Sequence, residues 1–341
     1  MISLTIEGRP VQVPEGSTVL DAARKAGVYV PTLCHDPDLK PYGACRLCLV
    51  EVEGVKGYPA SCTLPANNGM VVRTDTQALN QLRRGIVELL VAEGHDNCMA
   101  CAKNNRCELQ RIGAYVGLTK VRYEQVHRGI PVDDSNPFFY RDLDKCILCA
   151  RCVRACAEVE FVNAIDYGGR GYDAVIATMG NRPLTQSNCE SCGECVDQCP
   201  VGALVRKKNV MPTREVRTTC AYCGVGCGLV LGLRGDEIVQ VRGDDDAPVN
   251  HGTLCVKGRF GVEFVHHKDR LRTPLMKKDG QFVPISWDEA LDIISERLAR
   301  YSGSEYASVA SGRCTNEDNY VFQKFTRGVM GSNSIDHCAR L

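Results

Sequence analysis

The chain has 341 residues, of which 44% are apolar and 24% charged, and its 41 basic and 41 acidic residues give no net charge. This composition can bury several compact cores, provides no overall field for nucleic acid, and leaves the basic run at 206–208 to be interpreted as a solvated face. No apolar stretch approaches the roughly 20 residues that span a bilayer, and neither the first residues nor the internal Arg83-Arg84 pair forms an export signal, so we expect a cytoplasmic protein that is not an integral membrane protein.

The first residues predict a small sheet crossed by one helix. Apolar residues alternate over 2–6 and return at 11 and 13, on either side of a turn at Gly8-Arg9, which indicates a hairpin. Thr18 and Asp21 form a capping box at the start of the helix, and Gly27 stands where a C-terminal cap belongs.

Cysteines dominate the next segments. The chain has 21, and in a compartment that keeps thiols reduced they favour metal binding over disulfides. The first set follows the helix with the spacing C-x10-C-x2-C-x13-C, at Cys34, Cys45, Cys48 and Cys62. Four thiolates can hold a [2Fe-2S] cluster, and Gly43 would let main-chain N–H groups turn toward the sulfurs. Zinc is the alternative, although zinc ribbons usually have two C-x2-C pairs and this set has one.

This spacing resembles the β-grasp ferredoxin domain of the large peripheral subunit of respiratory complex I, of iron-only hydrogenases and of NAD-linked formate dehydrogenases. In those families a second cluster, [4Fe-4S], is bound by one histidine and three cysteines. The matching residues follow a predicted scaffold helix over 77–94, whose leucines and isoleucine at 79, 82, 86, 89 and 90 recur at helical spacing. They are His95, Cys98, Cys101 and Cys107. His95 is one residue closer to the first cysteine than usual, and a surface or capping role is its alternative.

An internal repeat supplies the third and fourth sets. CILCARCVRAC and CESCGECVDQC share the C-x2-C-x2-C-x3-C spacing, and between them lies a stretch that predicts loops and short strands. In this bacterial ferredoxin pattern the fourth cysteine of each run binds the other cluster. The predicted [4Fe-4S] sets are therefore Cys146, Cys149, Cys152 with Cys199, and Cys189, Cys192, Cys195 with Cys156.

The fifth set, C-x2-C-x3-C-x27-C, lies in CAYCGVGCGL and NHGTLCVKGRFG, at Cys220, Cys223, Cys227 and Cys255. It resembles the N-terminal [4Fe-4S] domain of molybdopterin oxidoreductases. In that family the lysine two residues after the last cysteine helps electrons pass between cluster and pterin, which would be Lys257 here; an ordinary surface charge is the alternative.

The remaining residues predict the opening of an α/β domain. Ser286 and Glu289 form a capping box before apolar residues at 290, 291, 294 and 298, and a second helical pattern runs from Asn316 to residue 331. Cys314 and Cys338 have no cluster-spaced partner, so we expect both to be small buried apolar side chains.

Taken in order, these sites resemble the catalytic alpha subunit of cytoplasmic formate dehydrogenases linked to NAD(P) or to a hydrogenase, in the molybdopterin oxidoreductase superfamily. The resemblance implies an α+β multidomain protein. Its segments would be a β-grasp [2Fe-2S] domain at 1–78, a helical His/Cys3 cluster domain at 79–118, a tandem [4Fe-4S] ferredoxin domain at 137–209, a bis-guanine-dinucleotide-type [4Fe-4S] domain at 213–270, and the start of the molybdopterin oxidoreductase α/β domain at 271–341.

The same resemblance implies cofactors and partners. The cofactors are one [2Fe-2S] cluster, four [4Fe-4S] clusters and, in the full-length enzyme, molybdenum or tungsten on bis(molybdopterin guanine dinucleotide). Formate would be the substrate, and electrons would leave past Lys257 and the clusters to a flavin- and NAD(P)-binding diaphorase subunit, a hydrogenase module or a ferredoxin. The sequence leaves open the metal, the acceptor and the direction of the reaction.

Residues 311–341 look like the formate dehydrogenase segment that leads to the active site, in which the metal-ligating cysteine or selenocysteine would come immediately after Leu341. The chain as given would then hold no catalytic residue and would carry electrons without oxidising formate alone. One hypothesis is a selenoprotein whose UGA codon was interpreted as a stop, and the alternative is a short protein or a fragment.

Three other functions compete with this one. An iron-only hydrogenase can share the first four clusters, but the Cys220 set and Lys257 speak against it. The complex I subunit usually lacks the tandem repeat. An electron-transfer adaptor that joins a diaphorase to a separate enzyme fits the same residues without any catalysis.

Overall fold

A computed structural model describes residues 1–94 and 97–338. The chain divides into two compact units, Met1–Asn209 and Val210–Leu341. The predicted ligand His95 lies outside the described residues.

The first unit begins with a four-stranded sheet in the order β2-β1-β4-β3. Its strands are β1 (Ile2–Ile6), β2 (Arg9–Val13), β3 (Glu51–Val52) and β4 (Val71–Arg73). The hairpin β1–β2 is confirmed, with Leu4 opposite Val11. Its turn lies one residue earlier than predicted, because Glu7 and Gly8 take the positive φ values, 48° and 74°, that a tight two-residue hairpin needs.

Helix α1 (Val19–Lys25) packs on this sheet as the sequence predicts. Thr18 and Asp21 form both bonds of the capping box, and Gly27, at φ 67°, ends the helix. The helix buries Val19 and Leu20 in the apolar core that it shares with β1 and β2, and this packing fixes where the following cysteine loop starts.

Helix α2 (Gln77–Ala92) forms where predicted, but only part of its predicted apolar row is buried. Leu82 and Leu89 are 40% and 52% exposed, whereas Leu79, Arg83 and Val87 are completely buried. The helix therefore turns an i, i+4 row that contains an arginine toward the first cysteine loops. The reason is tertiary, because Arg83 finds hydrogen-bond acceptors there. Helix α3 (Glu108–Tyr115) follows.

The tandem segment is built from short elements, as expected. They are β5 (Phe139–Arg141), α4 (Arg151–Arg154), β6 (Asp166–Gly168), β7 (Val175–Ala177), α5 (Glu194–Gln198) and β8 (Leu204–Arg206). A wider helical turn over Ala155–Val159 continues α4, and β5 pairs antiparallel with β8. The basic run is not a uniformly solvated face, because the Arg206 side chain is 11% exposed and forms an ion pair with Asp197.

The second unit opens with an antiparallel sheet in the order β11-β10-β9. Its elements are β9 (Arg214–Thr219), β10 (Gly228–Arg234), β11 (Glu237–Gly243), α6 (Val256–Phe260), β12 (Leu275–Lys278), β13 (Gln281–Pro284), α7 (Trp287–Leu298), β14 (Ser308–Ala310), α8 (Asn316–Gly328) and β15 (Ile335–His337). Strands β14 and β15 are parallel and α8 connects them, which makes a β-α-β unit.

Both predicted helices of this unit are present. The Ser286 hydroxyl accepts the N–H of Glu289 at the start of α7. Ala290 is buried, whereas Leu291 and Ile294 are about half exposed. Helix α8 ends at Gly328, three residues before the predicted end. Among the described residues, no helix combines the length and apolar character needed to cross a bilayer.

Candidate metal centres

The first predicted set, Cys34, Cys45, Cys48 and Cys62, comes together on the loops after α1. Hydrogen bonds from Cys45 and then Cys62 lower the pKa of Cys34 to about 2. A hydrogen bond from Cys62 lowers the pKa of Cys48 to about 6. The same bonds raise the pKa values of Cys45 and Cys62. The structure thus places all four thiols in one connected group.

Main-chain N–H groups also point at this set. Cys45 N donates to Cys34 Sγ at 3.5 Å, and Leu33 N donates to Cys45 Sγ at 3.4 Å. Gly43 takes φ 72°, which turns the loop so that the N–H groups after it can reach Cys34. This is the arrangement that the sequence predicted for Gly43, and such bonds tune the potential of a metal–thiolate centre.

The second set lines one cavity of the first unit. Cys98, Cys101 and Cys107 share its wall with Lys145 and Gly202. Gly202 leaves just enough room, because a Cβ atom at this position would lie 2.5 Å from Cys101 Sγ. The three cysteines therefore converge, and the fourth predicted member, His95, lies outside the described residues.

The third set lines a separate cavity. Cys146, Cys149 and Cys152 come from the first run of the repeat, and Cys199 comes from the second run, as the crossed pattern predicts. Burial raises the pKa of Cys146 to about 11 and of Cys149 to about 12, and it also raises the pKa of Cys152. Metal ions would displace these protons, since thiolates are the ligating form.

The fourth set repeats the backbone of the third. Leu148 N donates to Cys146 Sγ and Ser191 N donates to Cys189 Sγ, each at 3.4 Å. The two donors occupy equivalent positions and take φ values of 51° and 59°. Burial and then the charges of Cys192, Cys189 and Cys156 raise the pKa of Cys195, which shows that the crossed partner Cys156 lies near this run.

The fifth set lies in the second unit and is more open. Burial is the main reason why the pKa of Cys227 is raised, and the charges of the nearby Cys220, Cys223 and Cys255 thiols also raise it. Cys223 and Cys255 are exposed. Lys257 follows on α6 and is also exposed.

The two remaining cysteines contradict the sequence prediction. Cys314 and Cys338 are exposed rather than buried. They lie after β14 and after β15, on loops rather than on the packed faces of the strands. Cys338 Sγ is 3.7 Å from Ser311 Oγ, and hydrogen bonds from the Gly312 backbone and then from Ser311 lower its pKa.

The donor sets fit iron–sulfur clusters by their chemistry. Thiol groups converge, main-chain N–H groups point at the sulfurs, and two of the sets surround cavities. Within 1–94 and 97–338, no group of three or more His, Cys, Asp or Glu side chains has the geometry to hold a single metal ion. The ligands of a cluster are distributed over two or four iron atoms, so their geometry differs from that of a mononuclear site.

The sequence did not predict the buried arginines that lie next to the cysteine sets. Arg83 donates to the main chain beside Cys48, and Arg151 forms ion pairs with Asp36 and Glu108. Arg151 stands between two predicted ligands in CARC, which was a usable signal. Arg83 belongs to a predicted scaffold helix and gave none.

Five family profiles match successive parts of the chain. They describe a 2Fe-2S iron–sulfur cluster binding domain at 1–77, an NADH-ubiquinone oxidoreductase-G iron–sulfur binding region at 83–122, an NADH-quinone oxidoreductase subunit 3 ferredoxin-like domain at 136–205, a molybdopterin oxidoreductase Fe4S4 domain at 213–267, and molybdopterin oxidoreductase at 270–341.

Curated relatives match over nearly the whole chain. The G 2 subunit of NADH-quinone oxidoreductase from Rhizobium meliloti is 37% identical and the alpha subunit of NADPH-Fe(3+) oxidoreductase from Geobacter sulfurreducens is 35% identical, each over 100% of this chain. A Bacillus subtilis protein named as a formate dehydrogenase candidate, YrhE, is 30% identical over 99%. The chain spans about 40% of the length of these relatives.

A solved structure is also similar. A chain of an NAD+-reducing [NiFe]-hydrogenase, crystallised in the H2-reduced state, matches with a TM-score of 0.57 and 35% identity. The match covers 60% of this chain and 87% of the hydrogenase chain.

Proposed function

We propose that this chain conducts electrons through five bound clusters. Its segments match an iron–sulfur binding region of NADH-ubiquinone oxidoreductase G and two molybdopterin oxidoreductase profiles, and a G 2 subunit of NADH-quinone oxidoreductase is 37% identical. The observation that carries this proposal is the cavity that Cys146, Cys149 and Cys152 share with Cys199, a cysteine more than forty residues away. Each cluster would accept and release one electron while its protein ligands stay in place.

The proposed ligands are the sets named from the sequence. The first set holds [2Fe-2S] and the other four hold [4Fe-4S], with His95 completing the second. The chain's own residues exclude water from Cys34, Cys48 and Cys62, which are buried, and direct the N–H group of Cys45 at the Cys34 sulfur. Lys257 is the proposed relay residue beside the fifth set.

We propose NAD(P)H as the electron source of the whole protein, through a flavin-binding partner subunit. The relatives at 35% and 37% identity are named for NADPH or NADH oxidation, and the similar solved structure is an NAD+-reducing enzyme. The tandem repeat no longer argues against a complex I-type relative, since the subunit 3 ferredoxin-like profile covers both cysteine runs.

Formate oxidation is the second candidate. The Bacillus subtilis relative favours it at lower identity, and the molybdopterin oxidoreductase profile extends to the end of the chain. In that case a molybdenum or tungsten pterin centre would deliver the electrons, and the same cysteine sets would carry them away.

The two candidates differ in the reductant that reaches the clusters. The native complex would be purified anaerobically through a tag on this protein and treated with NADPH, NADH or formate, and the clusters would be followed by EPR. We expect a reduced [2Fe-2S] signal with NADPH or NADH within seconds and none with formate. Reduction by formate alone would establish the second candidate. Clusters that dithionite reduces but that NADPH, NADH and formate all leave oxidised would contradict both candidates.

A further inference from the structure

Arg83 is a completely buried arginine beside the first cysteine set. Its side chain has 0% exposure, although it belongs to a helix whose neighbouring position, Arg84, is exposed. Its guanidinium donates four hydrogen bonds. The acceptors are Leu47 O at 3.1 Å, Leu49 O at 2.8 Å, Thr74 O at 2.8 Å and Asn80 Oδ1 at 3.3 Å.

These acceptors are all neutral. In the part of the chain that the structure describes, no carboxylate forms an ion pair with Arg83, and Asp75 acts on it only through space while being itself exposed. Two other buried arginines differ, since Arg141 pairs with Asp133 and Arg151 pairs with Asp36. An uncompensated buried charge is strongly unfavourable, so such a residue requires an anion close by.

The cysteine set is the anionic group that the fold places there. Leu47 and Leu49, whose carbonyl groups bind the guanidinium, flank Cys48 on either side. Leu47 N–H also bonds to Cys45, so the same residue contacts a cysteine through its nitrogen and Arg83 through its oxygen. Four thiolates around [2Fe-2S] carry a net negative charge, and this charge grows when the site accepts an electron.

We propose that Arg83 is a buried counter-charge of the first cluster site and raises its reduction potential. This inference rests on the proposed function, since it assumes a [2Fe-2S] cluster at Cys34, Cys45, Cys48 and Cys62. Arg83 acts as a positioning residue through the carbonyl groups on either side of Cys48, and its positive charge stabilises the reduced state more than the oxidised state. Desolvation strengthens the effect, because little solvent screens a fully buried charge.

The test is a redox titration of the [2Fe-2S] EPR signal in the full chain. Arg83→Met removes the charge and keeps the apolar stem, Arg83→Gln removes the charge and keeps a hydrogen-bond donor, and Arg83→Lys keeps the charge. Arg84→Met is the matched control, because Arg84 is exposed and donates to Val116 O rather than to a residue next to the first cysteine set.

We expect Met and Gln to lower the equilibrium constant for one-electron reduction by about tenfold or more, which is about 59 mV or more. Lys should stay within about threefold of wild type, and Arg84→Met should leave the potential unchanged. If Arg83→Met does not assemble the cluster, the comparison of Gln with Lys decides. Equal potentials in wild type, Gln and Lys would overturn the inference. A wild-type protein without any [2Fe-2S] signal would instead overturn the proposed function.

Discussion

Gly202 is the residue at which two cysteine sets approach each other. It lines the cavity of Cys98, Cys101 and Cys107, while its neighbours Val201 and Ala203 line the cavity of the third set. A side chain at residue 202 would block this site, because a Cβ atom there would lie 2.5 Å from Cys101 Sγ.

We predict that Gly202→Ala displaces Cys101 and removes the second cluster. Iron analysis should find about four fewer iron atoms per chain, and the EPR signals of the other clusters should remain. Gly85→Ala is the control, since a methyl group added at this position in α2 would meet nothing within 4 Å and should only strengthen the helix slightly. A full iron content in Gly202→Ala would show that the site tolerates the methyl group and would refute this prediction.

At the scale of one element, the helical segment from Arg151 to Val159 joins three cysteine sets. It carries Cys152 and Cys156 of the third and fourth sets. Arg154 donates to Cys34 O and Lys40 O, and Glu158 accepts Lys40 N at 2.9 Å. These contacts hold the first cysteine loop against the tandem segment.

Arg151 extends this junction to the second set. It pairs with Asp36, two residues after Cys34, and with Glu108, next to Cys107, each at 2.8 Å. Asp36 is 8% exposed, so removing the arginine leaves a buried carboxylate without its cation. Breaking a buried ion pair from one side typically costs about 3–5 kcal/mol.

We predict that Arg151→Met loosens the loop over residues 34–42. Hydrogen exchange of its amides should become about a hundredfold faster, which corresponds to roughly 3 kcal/mol. Exchange in the sheet strands β9–β11 of the other unit should not change. Arg182→Met serves as the control, because Arg182 is an exposed arginine of the tandem segment. Unchanged exchange at 34–42 would mean that Arg151 does not hold this loop.

The same elements show what local sequence can predict. The capping box at Thr18 and the hairpin before it follow from residues within about twenty positions of each other, and both are confirmed. The cysteine groups were also predictable, because cluster chemistry restricts their spacing. The buried face of α2 was not, since Arg83 is buried by carbonyl groups 34 and 36 residues away. The Arg151–Asp36 pair spans 115 residues, and no periodicity reports such a contact.

At the scale of the whole molecule, the cysteine sets are divided between two units. Four cysteine sets belong to Met1–Asn209 and the fifth belongs to Val210–Leu341. Cys314 and Cys338 belong to no set and are exposed, where the sequence predicted burial. Their small apolar side chains suggested a core position, but both residues lie on loops that follow two short strands.

The proposed electron-transfer function depends on 19 cysteines and one histidine that would hold five clusters. Iron quantitation of anaerobically purified protein tests this assignment directly. We predict about 18 iron atoms per chain, a loss of about four in Cys199→Ala, and no loss in Cys314→Ala. An iron content of two or fewer with zinc in its place, or equal iron contents in wild type and Cys199→Ala, would contradict the five-cluster assignment.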